Sequence, residues 1–140
     1  MLVRLLYASR ARDPITDETL ASILTQSRKN NPETGVTGVL CVCHGGVFIQ
    51  ALEGGRPEVN QLYSKVLRDD RHTDVTLLEY AEISERRFSG WRMGRVDLDK
   101  VNTAVVLKYS EKPRLDPFGM SGAVALRLLE ELASTASIVG

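Results

Sequence analysis

Val47-Phe48-Ile49-Gln50-Ala51-Leu52-Glu53 decides the fold of this chain, because it reads as a strand that is apolar on both of its faces. Successive strand residues point to opposite sides of a sheet. Val47, Ile49 and Ala51 therefore share one face, and Phe48 and Leu52 share the other. An apolar face left open to water costs roughly 25 cal/mol per Å², so both sides of this strand require cover. Just upstream, Val36–Cys43 is a second apolar strand. His44-Gly45-Gly46 joins the two as a tight connection, which makes them a hairpin.

Downstream of the hairpin, Gly54-Gly55 breaks the strand, and Pro57 and Glu58 open a helix. Its apolar stripe is Val59, Leu62, Tyr63, Val66 and Leu67. At the N-terminal end, Leu2–Ala8 is a strand with Val3, Leu5 and Tyr7 on one face and Leu2, Arg4 and Leu6 on the other. After the loop at Arg10–Pro14, Thr16 can cap a helix, Asp17 and Glu18 suit its positive end, and Ile15 can staple onto Leu20. The stripe of that helix is Leu20, Ile23, Leu24 and Ser27. Asn30-Asn31-Pro32 is expected to end it, since the residue before a proline avoids helical geometry. Val75–Ile83 reads as a fourth strand and Phe88–Val96, which contains Trp91 and Met93, as a fifth. The order of elements predicts an α+β ferredoxin-like plait, a five-stranded mixed sheet with two helices on one face.

From Asp97 the character becomes helical. Val101, Ala104, Val105 and Lys108 suit a short helix. Asp116-Pro117 offers a cap and first-turn proline for another, carried by Val124, Leu128, Leu129 and Leu132. Residues 97–140 are expected to cover the open sheet face, as a C-terminal helical extension of the unit formed by 1–96.

Composition bounds the function. The 140 residues fit one domain. Lys+Arg and Asp+Glu both number 18, so no basic surplus exists to drive nucleic-acid binding. No apolar run approaches the roughly 20 residues of a membrane helix, and the start of the chain lacks the pattern of a signal peptide. Two Cys in one apolar run form no disulfide framework, and a cytoplasmic location is the default.

Gln50 is the polar residue where none belongs. It stands mid-strand on the face of Phe48 and Leu52, which points at the two helices. Tyr7 ends the first strand on what reads as the same side, and Asn31 closes the helix that packs there. A buried amide has two donors and two acceptor lone pairs, and each unmet group costs about 1–3 kcal/mol. These residues either satisfy one another or satisfy a polar ligand between the helices.

Five motifs occur in order: Tyr7 within Leu5–Ser9; Asn30-Asn31 ahead of Val36-Thr37-Gly38-Val39-Leu40; Phe48–Gly54; Asp69-Asp70-Arg71-His72; and Arg87-Phe88-Ser89-Gly90-Trp91-Arg92-Met93. Together they resemble the BLUF domain, the sensor of blue light using FAD, over about residues 1–96, with a short tail similar to stand-alone proteins of the BlrB type. The resemblance implies FAD between the two helices. It makes Tyr7 the electron and proton donor, and Gln50 the switch bonded to both Tyr7 and the ring. Asn31 would hold the carbonyl edge of the ring, and Trp91 and Met93 would be a mobile pair on the last strand. It places Asn30, Lys65, Asp69, Arg71 and His72 near the rest of the flavin. It also implies a photoreceptor that is not an enzyme, whose output passes through a downstream protein or a homodimer.

The chemistry of these residue types agrees. Amides suit a flavin edge because they both donate and accept, tyrosine is a workable short-range electron donor, and a glutamine can change partners by rotating or tautomerising. Other constellations read as structural. Cys41-Val42-Cys43-His44 gives at most three ligands, with no second Cys/His pair to complete a metal site. Arg68, Arg71, Arg86 and Arg87 stand near Asp69, Asp70 and Glu85, as a solvated rim does. An acylphosphatase-like plait is the enzyme alternative. Arg10 and Arg12 stand near the place its anion loop would occupy, but the glycine-rich cradle is missing. A colourless dimerising plait is the other alternative.

Overall fold

A computed structural model of the chain describes every residue except His44, Gly45, Ala136, Ser137 and Gly140, and only the backbone of Asn30, Asn31 and Pro32. The strands are β1 (Leu2–Ala11), β2 (Thr37–Cys43), β3 (Val47–Gly55), β4 (His72–Ile83) and β5 (Gly94–Asp97). The helices are α1 (Asp17–Thr34), α2 (Arg56–Arg68), α3 (Thr103–Tyr109) and α4 (Gly122–Ser134). One sheet runs in the order β4-β1-β3-β2-β5. β2 and β5 are parallel, and the other neighbours are antiparallel. This is the five-stranded mixed sheet of an α+β plait. No described helix is long and apolar enough to cross a membrane.

The two-faced strand β3 divides the core. Phe48 and Leu52 join Val3, Leu5 and Tyr7 beneath Leu20 and Leu24 of α1 and Val59 of α2. On the opposite face, Ile49 and Ala51 join Leu6, Val39 and Cys41 against Val106 of α3 and Leu128, Leu129 and Leu132 of α4. The C-terminal helices therefore cover the second face. Helix α4 approaches β4 so closely that a side chain at Gly122 would collide with the Leu78 carbonyl oxygen.

Local signals act as anticipated at several ends. Thr16 Oγ1 accepts the Thr19 N–H at 3.1 Å, and Asp17 and Glu18 fill the first turn of α1. Pro57 stands in the first turn of α2, with Lys65 and Arg68 in its last.

Several boundaries differ from expectation: β1 runs past Ala8 to Ala11, and β3 includes Gly54 and Gly55, which pair with Val3 and Leu2 instead of breaking the strand. Helix α1 runs through Asn30-Asn31-Pro32 to Thr34. A proline in the final turn removes one hydrogen bond from a helix anchored by its buried stripe. The stop is Gly35, whose φ of 73° a side chain rarely permits. The last strand begins at Gly94, so Trp91 and Met93 precede it instead of lying on it. The Phe88 N–H is bound to the Glu53 carboxylate and the Trp91 N–H to the Phe88 carbonyl, leaving neither for a ladder. Asp116 caps only the short 3-10 turn Pro117–Gly119, and Ser121 caps α4 through the Val124 N–H at 3.2 Å. β4 begins at His72 because β1 continues to Ala11 and pairs with it there.

Candidate functional site

The antiparallel register of β1 and β3 sets Tyr7 directly opposite Gln50. Paired residues point to the same side of a sheet, so both face α1 and α2. Between these helices and the sheet lies a cavity of about 200 Å³. Tyr7, Leu40, Phe48, Gln50 and Leu52 form its floor, with Ile23, Gln26 and Ser27 of α1 and Leu62, Lys65 and Val66 of α2 as walls. Asp69, Arg71, His72 and Met93 complete the lining. A smaller cavity of about 150 Å³ shares Ile23, Phe48, Arg71 and His72 with it.

The Tyr7 hydroxyl donates to Gln50 Oε1. Gln50 Nε2 in turn donates to Met93 Sδ at 3.3 Å. Burial pushes the Tyr7 phenol far above its ordinary value, with Tyr63 and Asp69 adding to the effect. Tyr7 is therefore a protonated donor at neutral pH. The rings of Tyr7 and Tyr63 lie 5.6 Å apart, and those of Phe48 and His72 5.4 Å apart.

At the rim, Arg71 Nη2 donates to Asp69 Oδ2 at 2.6 Å and Nε to the same carboxylate at 3.0 Å, which holds that carboxyl below its usual range. His72 is half-buried, and its Nδ1 lies 3.1 Å from Ser9 Oγ. Burial lowers its pKa from the ordinary value, and the Asp69 charge only partly offsets this. His72 is thus a neutral ring able to donate or accept.

These residues fit a flavin. The slot suits a flat apolar ring system with a polar edge. At its floor is a buried amide, 8 % exposed, whose NH₂ meets only a thioether among the described residues. A thioether is a weak acceptor, so the amide retains donor capacity for a ring nitrogen or carbonyl. The charged rim and adjoining cavity leave room for a polar tail.

Of the residues singled out in the sequence, Tyr7, Gln50, Lys65, Asp69, Arg71, His72 and Met93 meet at this cavity. Trp91 does not: it packs against the core on the α3–α4 side, beside Gly94. Asn30 and Asn31 occupy the end of α1, and their side chains lie outside the described residues. Arg86 binds the Gly35 carbonyl and Thr37 Oγ1, and Arg87 Nε lies 3.5 Å from Glu130. Arg10 pairs with Asp74 at 3.4 Å and covers the Phe118 ring, so it is not poised over an anion loop. Cys41 and Cys43 are buried, and burial pushes the Cys43 thiol up to about 12. His44 lies outside the described residues.

Three residues escaped the sequence reading. Arg28 Nε on α1 donates to the Met93 carbonyl at 3.1 Å. Ser9 holds His72. Glu53 is fully buried and accepts from Arg4 and from the Arg87 and Phe88 amides. Only Glu53 left a signal, as a carboxylate ending an apolar run.

The chain resembles known proteins in sequence and in fold. Residues 2–94 match the family profile described as "BLUF: Sensors of blue-light using FAD". The photoactivated adenylate cyclase subunit beta of Euglena gracilis is 36% identical over 93 residues, 66% of this chain and 11% of that protein. The chain thus spans about a tenth of the length of these curated relatives. Among solved structures, BlsA in its photo-activated state superposes with a TM-score of 0.83 at 32% identity, covering 94% of both chains. The dark-state structure of BlrB, a BLUF protein, gives a TM-score of 0.80 at 27% identity, covering 96% of both.

Proposed function

The chain belongs to the BLUF family, the sensors of blue light using FAD, and from that premise we propose that Tyr7 and Gln50 are its photoactive pair. A module of this family senses light and is not itself an enzyme. Residues 1–96 form the flavin-binding part, and 97–140 are an extension of the same unit. The observation that carries the reading is the chain Tyr7–Gln50–Met93, laid along the floor of a slot between two helices.

FAD, when bound, supplies absorption of blue light and a ring that accepts an electron. Tyr7 would supply that electron, and its hydroxyl proton would follow it toward the ring through the existing bond to Gln50. Gln50 then re-forms its bonds by rotating or tautomerising, and its NH₂ group leaves Met93 Sδ. The electron and proton would return to Tyr7 once the Gln50 bonds have changed, and reversal of those bonds in the dark would restore the first arrangement. Leu40, Phe48, Leu52 and Leu62 exclude water from the slot, which keeps the exchange between protein groups. By the same likeness Asn31 would hold the polar ring edge, while Asn30, Lys65, Asp69, Arg71 and His72 would hold the remainder of the cofactor. Output passes from Met93 into β5 and the C-terminal helices, and from there to a partner protein.

Absorption spectra of the FAD-bound protein before and after a blue pulse test the reading. The expected result is a small red shift that recovers in the dark. Tyr7→Phe should retain FAD and lose the shift, because phenylalanine has neither the proton nor the donor level. A normal light-induced spectrum in that variant would refute the donor role.

A further inference from the structure

β5 is an edge strand, with β2 on one side only. Such an edge presents main-chain groups on which a sheet can grow. Among the described residues, the chain itself occupies this edge. The Arg95 N–H donates to the Val139 carbonyl at 2.6 Å, and the Val139 N–H returns a bond to the Arg95 carbonyl at 2.9 Å, an antiparallel bridge. Next to it, Ile138 is buried, and a side chain at Gly94 would collide with its Cγ2. The Met93 carbonyl is held by Arg28. The clasp is small: Val139 is 68% exposed, and one aliphatic side chain and one bridge account for it.

We propose that the outer edge of β5 is a light-gated docking edge for an extended, aliphatic segment of a partner protein, with Ile138-Val139 as its built-in occupant. The gating rests on the photoreceptor reading above. The linkage is short. Gln50 Nε2 holds Met93 Sδ, Met93 precedes Gly94, and Ile138 lies directly on Gly94. Because Gly94 has no side chain to re-rotamerise, a shift of the Met93–Gly94 backbone is transmitted to Ile138 undamped. Trp91 also lies against Gly94, so both neighbours of that glycine feel the change. When the clasp opens, the Arg95 N–H and carbonyl become free for strand addition, a mode in which main-chain bonds give affinity and side-chain pockets give specificity. The seat left by Ile138 selects a branched aliphatic residue, and the bridge that it replaces fixes the antiparallel direction.

Hydrogen exchange of the Arg95 amide in the intact FAD-bound protein, dark and under blue light, tests this. Exchange should be about tenfold faster in light, the equivalent of about 1.4 kcal/mol. Ile138→Ala should give the fast rate already in the dark with the red shift unchanged. A synthetic peptide with the sequence of residues 134–140, added to that variant, should restore Arg95 protection, and its Ile138→Asp counterpart should not. Equal exchange in dark and light, in protein with a normal red shift, overturns the gating. Failure of the first peptide to protect Arg95 overturns the docking edge. Light-driven dimerisation that protects Arg95 overturns the partner in favour of self-pairing. Absence of any red shift refutes the photoreceptor reading instead, while the dark behaviour of Ile138→Ala still reports on the clasp.

Discussion

Replacing Glu53 by glutamine probes the end of β3 that ties the sheet to the segment before β5. Glu53 is fully buried. Its carboxylate accepts the Arg87 N–H at 3.0 Å, the Phe88 N–H at 2.7 Å and Arg4 Nη1 at 3.1 Å. Glutamine preserves the shape and one acceptor oxygen, but its second atom becomes an NH₂ group that faces only donors. Arg4 is then a buried cation left with Glu79, whose Oε1 lies 3.4 Å from Nε. Removing one member of a buried pair costs ~3–5 kcal/mol. The surviving contact with Glu79 places Glu53→Gln at the lower end, about 3 kcal/mol. For a domain of this size each kcal/mol lowers Tm by about 2–4 °C, so the expected loss is roughly 6–12 °C. Thermal unfolding followed by near-ultraviolet circular dichroism measures it, and urea unfolding with an unchanged m-value confirms that stability alone moved. Gln50 lies on the opposite face of β3, so the flavin red shift should keep its size. A loss of Tm under about 2 °C would refute the argument that this carboxylate holds the segment.

Gln50→Leu should bind FAD and show no red shift. It also leaves the Tyr7 hydroxyl without its acceptor, at a cost of about 1–3 kcal/mol that a urea titration resolves. His72 ionises less readily folded than unfolded, because burial disfavours its cation. The unfolded chain therefore binds the proton first, and stability should fall as pH drops below about 6.5 and level off below the folded value. Urea midpoints across that range should flatten in His72→Gln, and an unaltered slope would count against the assignment. Gly122→Ala forces a methyl group onto the Leu78 carbonyl and should cost ~1–3 kcal/mol by prising α4 from β4; a melting curve matching the parent's would contradict that close approach.

Alternation along Val47–Glu53 was enough to state that the sheet has two buried faces, that α1 and α2 take one, and that residues 97–140 take the other. It also marked Gln50 as misplaced and Tyr7 as its companion. Both are local properties: a side chain's face follows from counting by twos, and a polar residue among apolar ones is visible at once. The motifs in their order carried the likeness to flavin photoreceptors. Counting did not give the β1–β3 register, and a slip of one residue would have turned Tyr7 from Gln50. Register is a relation between strands separated in sequence, and the whole ladder settles it.

The same holds for Arg28 on the Met93 carbonyl, Glu53 on the Arg87 and Phe88 amides, and Val139 on Arg95. Each joins groups more than thirty residues apart, at least one of them main-chain, and main-chain groups carry no signature in sequence. Met93 and not Trp91 reaches the slot because those amides engage side chains instead of a ladder and β5 starts only at Gly94. The residue letters set the chemistry available at each position; the packing of distant segments selected which of it meets.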